Sequence, residues 1–320
     1  MAFTKTACRQ DERAAVVLVD CAGGGELGLV RDALAGPLAT PVIFLERAEL
    51  TSLPIALDLS AGLLQLGDGL VRPAVTWVRH GSACAIAAHA QPAGSVRLLA
   101  AAGWSGFFER LAGLAAAALP GNAPAGPDQL LDAERLGIRA PRTVLSTDVA
   151  AAAQLVGSSR VIAKTPDFRL FEPDHRQWPA SLPTVLDAGA SVAGVAESPV
   201  FVQEYLPYER ELRVYFLNGA VCAFEVDKAE PASMWTDPDS VRVSLVSCPQ
   251  PAAEAVRSLS ARWGLRFGAF DLLVTETGEP VFLEVNPDGD WLWYERKAGW
   301  HGISFMAAVM VRELFVRHTS

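Results

Sequence analysis

Several common protein classes are closed to this chain by what it lacks. Its five cysteines, Cys8, Cys21, Cys84, Cys222 and Cys248, are scattered over 320 residues, and no two form a Cys-x-x-Cys pair. That argues against a disulfide framework or a thiolate zinc site and suits reduced thiols in a cytoplasmic protein. There is no Lys- or Arg-rich block, and 27 basic residues stand against 36 acidic ones, for a formal net charge of −9. A nucleic-acid groove therefore has no electrostatic support, and no nucleic-acid partner is expected. The longest apolar run, Leu111 to Leu119, is far short of the ~20 residues that cross a bilayer, so no membrane partner is expected either. Met1 to Arg13 carries Lys, Arg, Asp and Glu without an apolar segment, unlike a secretion signal. The five histidines fall at no ligand spacing, and neither an internal repeat nor a low-complexity tract occurs. What remains is a composition 51% hydrophobic and 20% charged, enough to build two or three subdomains with substantial cores.

The N-terminal third alternates strand and helix signals. Ala14–Val19 reads as a buried strand ending at Asp20, Glu26–Leu34 as a helix, and Pro41–Leu45 and Ala74–Val78 as further strands. The Ala/Leu-rich stretch Trp104–Leu119 reads as a helix, and the whole suggests a small α/β domain. Pro120–Pro127 (PGNAPAGP) then reads as a linker. Beyond it, Asp128–Leu136 is predicted helical with Gly137 as its stop. Val161–Ala163 is a strand leading to Lys164, and Asp167–Pro199 is irregular, a candidate mobile cover. From residue 200 five strands are predicted: Val200–Tyr205, Leu212–Leu217, Ala220–Val226, Phe270–Val274 and Pro280–Val285. Asn218-Gly219 supplies a hairpin turn, and Ser304–Val316 closes the chain as a helix.

Gly23, Gly25 and Gly28 fit G-x-G-x-x-G between a strand and a helix, and Glu46 follows the next strand at the spacing of a ribose-binding carboxylate. Two readings stand: a dinucleotide site, or the tight turn any α/β unit needs.

The chemistry gathers further on. In GAFDLLVTETGEPVFLEVNPDGD, residues 268–290, Asp271 lies on one strand, and Glu284 and Asn286 lie on the strand after the turn. Side chains at i and i+2 share a face, so Glu284 and Asn286 point the same way, and a hairpin brings Asp271 beside them. Two carboxylates and an amide oxygen make a hard-oxygen site suited to Mg²⁺ holding nucleotide phosphates. Upstream, VFVQEYLPYERELRVYFLNG places Glu204, Glu211 and Arg213 on two consecutive strands. A guanidinium there suits phosphate charge, and Glu211 suits ribose hydroxyls; a salt-bridged hairpin face is the alternative. Lys164 adds a cation at a strand end.

Taken in order, strand-Lys, QEYL, E-x-R-V, FGAFDLL and FLEVNPDGD resemble the RimK-like branch of the ATP-grasp ligases. The nearest pattern is that of the microviridin-type (graspetide) maturases of ribosomal peptides. DQLLDAERLGIRAPRT, Asp128–Thr143, resembles the entry to their nucleotide-binding lobes, and LEVNPDGDWLW, Leu283–Trp293, resembles their ends. The resemblance spans about 128–315. It implies an ATP-grasp fold of α/β character, with α+β lobes behind an N-terminal α/β (pre-ATP-grasp) domain. The corresponding bounds are 1–122, 123–199 for the small lobe and 200–320 for the lobe carrying the nucleotide and metal site.

It also implies roles. Lys164 would touch ATP phosphates, Gln203, Glu204, Tyr205 and Leu206 would line adenine, Glu211 would hold the ribose, and Arg213 would hold the γ-phosphate and acyl phosphate. Asp271, Glu284 and Asn286 would bind Mg²⁺. The implied activity is carboxylate–amine or carboxylate–hydroxyl ligation in a precursor peptide by a cytoplasmic homodimer. Amino-acid addition by a RimK-like ligase, or a non-catalytic nucleotide- or NAD-binding module, are the alternatives. The chain departs from the family at AGPD, residues 125–128, where relatives carry a basic residue. It departs again at MWTDPDSVR, where Arg242 is displaced, and at Asp290, which replaces an amide residue. Trp291, Trp293 and Tyr294 would either line a peptide path or pack in the core.

Overall fold

The computed structural model describes residues 13–21, 25–80, 95–164, 182–187 and 195–320. The chain divides into two compact units, Met1–Pro120 with Gly302–Ser320, and Gly121–His301.

In the first unit β1 (Arg13–Asp20) is a run of apolar residues buried on both faces, as a central parallel strand requires. It is flanked in parallel by β2 (Val42–Glu46) and β5 (Gly69–Arg79), with α1 (Glu26–Ala35) crossing between β1 and β2. A meander of β3 (Ile55–Asp58) and β4 (Leu63–Leu66) extends the sheet from the start of β5. The helix expected over Trp104–Leu119 is displaced: α3 covers Ser95–Leu114, and Ala117–Leu119 forms β6, parallel to Val75–Trp77. Pairing with the ladder of β5 outweighs the helix preference of Ala117, Ala118 and Leu119. The closing helix α9 (Ile303–Thr319) packs beside α1 in this unit. Glu46 heads α2 (Arg47–Ser52), its amide donating to Glu49, so it ends a strand and opens a helix. Gly23 lies outside the described residues.

The second unit holds two sheets. A four-stranded sheet runs β7 (Thr143–Asp148), β10 (Val195–Glu204), β8 (Arg160–Lys164), β9 (Thr184–Asp187), with α5 (Val149–Val156) against it. Most of Asp167–Pro199 lies outside the described residues. Its described parts, β9 and the start of β10, are strand and not irregular, because each finds an antiparallel partner.

The larger antiparallel sheet has the order β13 (Arg242–Val246), β12 (Ala220–Asp227), β11 (Arg210–Leu217), β14 (Phe267–Val274), β15 (Pro280–Asn286). One face packs on α4 (Pro127–Arg135) and α7 (Gln250–Trp263) through Leu212, Val214, Phe216, Phe270, Leu272 and Phe282. Burying each such side chain stabilises the fold by roughly 1.5–3 kcal/mol. In α7, Ala252, Val256, Leu259 and Trp263 recur at helical spacing and meet this face. Buried Asp132 joins α4 to α7, accepting from Trp263 Nε1 at 2.9 Å and from Arg135 at 3.1 Å. Short helices α6 (Ser233–Thr236) and α8 (Leu292–Ala298) complete the unit. Among the described residues, no helix is long and apolar enough to cross a membrane.

Beyond β15 the chain turns at Gly289, where φ is +44°. A Cβ there would lie 2.8 Å from Ala269 Cβ and 3.2 Å from Ala269 N, whereas Gly137, at φ +73°, faces open space. Both positions strain a non-glycine backbone, but only Gly289 adds a clash. Gly289→Ala is expected to cost about 2–3 kcal/mol and Gly137→Ala only ~1 kcal/mol, measured by urea unfolding.

Candidate active site

The face of the five-stranded sheet turned away from α4 and α7 carries the polar residues. On β11, Leu212, Val214 and Phe216 enter the core, so Glu211, Arg213 and Tyr215 point the other way. Arg213 stands opposite Asp271 on β14, and Asp271 stands opposite Glu284 on β15. The row therefore follows from register.

Glu284 reaches this face through a β-bulge. Asp271 pairs with Glu284 but Leu272 pairs with Phe282, so Leu283 is an extra residue. The bulge lets Phe282 and Val285, three positions apart, both enter the core, while Glu284 and Asn286 stay on the open side. Gln129 of α4 fixes the bulged strand: its Oε1 accepts from Val285 N at 2.8 Å and its Nε2 donates to Val285 O at 3.2 Å.

Arg213 Nη1 donates to both Asp271 oxygens, at 3.0 and 2.8 Å. The guanidinium lies 5.6 Å from the Tyr215 ring centroid and 5.1 Å from that of Tyr294. Its buried Nε meets no hydrogen-bond partner. Burial works against the Arg213 cation, yet Asp271 and the two tyrosines raise its pKa well above the ordinary value. Burial pushes the Asp271 carboxyl above its usual range; Arg213 opposes this, and the Glu284 charge adds to it. Glu284 itself is held below its usual range, chiefly by Lys164 and against the pull of burial. Lys164, at the end of β8, brings Nζ within 3.3 Å of Glu284 Oε2.

Other expected site residues are placed differently. Gln203 is buried and donates to Thr143 Oγ1 at 3.0 Å, bracing β7. The amides of Glu204 and Tyr205 are taken by the carbonyls of Arg142 and Arg160, and the Tyr205 ring lies under Arg160 at 4.3 Å. Leu206 joins a small apolar cluster with Leu273 and Val281 of the larger sheet, so Gln203–Leu206 runs from one sheet to the other. Asn286 is on the open face, with Oδ1 accepting from the amides of Asp288 at 3.0 Å and Gly289 at 3.1 Å. In this state its oxygen caps its own turn. Glu211 meets Lys228 at 2.7 Å. Trp291 and Tyr294 are buried, Trp291 against Phe267, which is the core-packing alternative.

Lys228 and Tyr215 escaped the sequence reading, and Tyr294 was read only as a peptide-path or core residue. For Lys228 a signal existed: Cys222, Phe224 and Val226 alternate on the open face, and two positions further is Lys228. Among the described residues no three His, Cys, Asp or Glu side chains converge as a metal cluster. A divalent ion here would rest on two carboxylates and one amide, with the remaining ligands from phosphate and water, as suits Mg²⁺.

This architecture has solved counterparts. The structure of PsnB with minimal precursor, Mg and ADP matches with a TM-score of 0.74 over 97% of this chain and 100% of that one, at 17% identity. Macrocyclase MdnC of Microcystis aeruginosa, bound with precursor peptide MdnA, matches at 0.70 over 94% and 99%, at 19% identity. A Chryseobacterium gregarium RiPP-associated ATP-grasp ligase, with ADP and a leader and core peptide, matches at 0.70 over 95% and 97%, at 17% identity.

The fold is the ATP-grasp fold.

No family model and no curated protein sequence matches the chain. The match to the PsnB structure covers 97% of this chain and so takes in residues of both units, beyond the 128–315 span of the motif resemblance.

The Arg213–Asp271 pair predicts a non-additive stability cycle. Arg213→Met strands a carboxylate in a largely buried place and is expected to cost roughly 2–4 kcal/mol in the ligand-free protein. Adding Asp271→Leu is expected to restore most of that loss. Urea denaturation of the two variants checks this.

Proposed function

We propose that this protein is a Mg²⁺- and ATP-dependent ligase that activates a carboxylate as an acyl phosphate and joins it to an amine or hydroxyl. The observation that carries this reading is the run of Arg213, Asp271 and Glu284 across one face of the five-stranded sheet, with Lys164 of the four-stranded sheet meeting Glu284. Two adjacent carboxylates are flanked by two cations, an arrangement that suits a polyphosphate and its counter-ion.

The residues present fit the cofactor. Glu284 is 50% exposed and so accessible to a metal ion, and the buried Arg213 Nε has no hydrogen-bond partner among the described residues. Asp271, Glu284 and Asn286 would hold Mg²⁺, which when bound neutralises charge on the transferring phosphoryl group. Lys164 and Arg213 would contact the phosphates, Glu211 the ribose, and the remaining backbone groups of Gln203–Leu206 the adenine.

A substrate carboxylate oxygen attacks the γ-phosphorus and ADP departs. The amine or hydroxyl then attacks the acyl carbon, inorganic phosphate leaves, and the nucleophile loses its proton. Arg213 is placed by its two tyrosines to hold charge in both steps, and the protein's contribution is positioning and charge stabilisation. Exclusion of water protects the acyl phosphate; the segment expected to provide a cover, Asp167–Pro199, lies largely outside the described residues.

For substrate we assign Asp or Glu side chains of a ribosomally made precursor peptide, joined to Lys, Ser or Thr side chains. Two observations support this: the Leu283–Trp293 segment, and folds shared with MdnC, PsnB and the Chryseobacterium ligase, whose structures hold precursor, leader or core peptides. The reading also takes the working form to be a cytoplasmic homodimer; the described cysteines, Cys21, Cys222 and Cys248, are free thiols.

The test begins with ligand-induced thermal stabilisation. MgATP at about 100 times its Kd is expected to add ~2.7 kcal/mol to wild type and nothing close to it in Glu284→Ala or Lys164→Ala. Intact mass then decides the substrate: the cognate peptide loses one water per crosslink when MgATP is present. Product gaining an amino acid would establish the RimK-like alternative, and protection by NAD alone would overturn the ligase.

A further inference from the structure

β12 ends at Asp227, and Lys228 follows on the side of the sheet that carries Glu211 and Arg213. Its Nζ lies 2.7 Å from Glu211 Oε1, and the two side chains are only 9% and 12% exposed. A lysine that gives up its hydration in this way needs a reason, because a buried ammonium is stable only with a partner held in place. Glu211 needs one equally: burial raises its carboxyl pKa and Lys228 opposes that rise. Of the site's three cations, Lys164 and Arg213 meet carboxylates assigned to the metal; Lys228 meets the one assigned to the nucleotide sugar.

A carboxylate recognises a pair of ribose hydroxyls only when it is ionised and fixed, so that both oxygens accept. Lys228 Nζ meets Glu211 at Oε1, and an ionised carboxylate offers about four acceptor sites. The lysine therefore supplies charge and orientation and leaves acceptor capacity on the same group. Resting on the nucleotide-site reading above, we propose that Lys228 is a positioning residue for ribose recognition: by clamping Glu211 it makes the site selective for nucleotides that carry both sugar hydroxyls.

The probes are MgATP and Mg-2′,3′-dideoxy-ATP, with affinity read by calorimetry on the full chain. Wild type is expected to prefer ATP by about ten- to thirtyfold, the net worth of one hydrogen bond to a charged acceptor. Lys228→Met is expected to reduce that preference to about threefold or less, while Lys228→Arg keeps it. In a Glu211→Gln background, adding Lys228→Met is expected to change the preference by no more than about twofold, since the clamp has nothing left to hold.

Lys228→Met alone leaves Glu211 buried without its cation. If that variant does not fold, the neutral pair Glu211→Gln/Lys228→Met and Lys228→Arg carry the test. The first must discriminate as poorly as Glu211→Gln, and the second as well as wild type.

Undiminished preference in Lys228→Met, or a further large loss from it in the Glu211→Gln background, overturns the clamp. Wild type that binds MgATP without preferring it to the dideoxy analogue overturns the clamp but leaves the ligase reading standing. Wild type that binds no MgATP removes both.

Discussion

Pairing of acid with base on a sheet face largely removed from water is the constraint around which the second unit is arranged. Glu211, Asp271 and Glu284 each meet one cation, Lys228, Arg213 and Lys164 in turn. Ion pairs of this kind are poor sources of net stability, because desolvation offsets much of the attraction. At Asp271 burial pushes the carboxyl pKa up and Arg213, at hydrogen-bonding distance, opposes it. On the proposed reading the pairs keep the ligand-free site neutral, and each cation–carboxylate contact is exchanged for one with phosphate, ribose or metal.

The scaffold is built to keep that row in register. The extra residue in β15 reconciles two demands on one short strand, core packing by Phe282 and Val285 and display of Glu284 and Asn286. Gln129 holds the strand where the bulge leaves it, and Asp132, one turn further along α4, anchors that helix to Trp263. The two tyrosine rings beside Arg213 limit where its guanidinium can go. Each support is one or two contacts removed from the charged row, so a substitution well inside the core would still move the site.

Much of this was legible in the amino-acid order. The i, i+2 spacing put Glu284 and Asn286 on one face with Asp271 beside them across the hairpin, and the Asn218-Gly219 turn set the pairing of β11 with β12. Other features were hidden for physical reasons. A bulge has no periodicity signature, so the reason Phe282 and Val285, three positions apart, share the core face was visible only in three dimensions. Ala117–Leu119 looks helical because alanine favours helices, and only the ladder offered by β5 makes it a strand. Lys228 sits just past a strand end, where alternation is usually no longer counted. Asn286 lies on the open face as read, and its oxygen also accepts from the amides of Asp288 and Gly289, a local bond that a short polar side chain makes readily beside a glycine turn.

The most direct test of the exchange of pairs is a high-resolution crystal structure with Mg²⁺ and a non-hydrolysable ATP analogue. The account predicts that Lys164 Nζ leaves Glu284 for a phosphate oxygen, while Asp271 and Glu284 turn to the metal. Nucleotide bound with Lys164 still 3.3 Å from Glu284, and with no metal against either carboxylate, would contradict it.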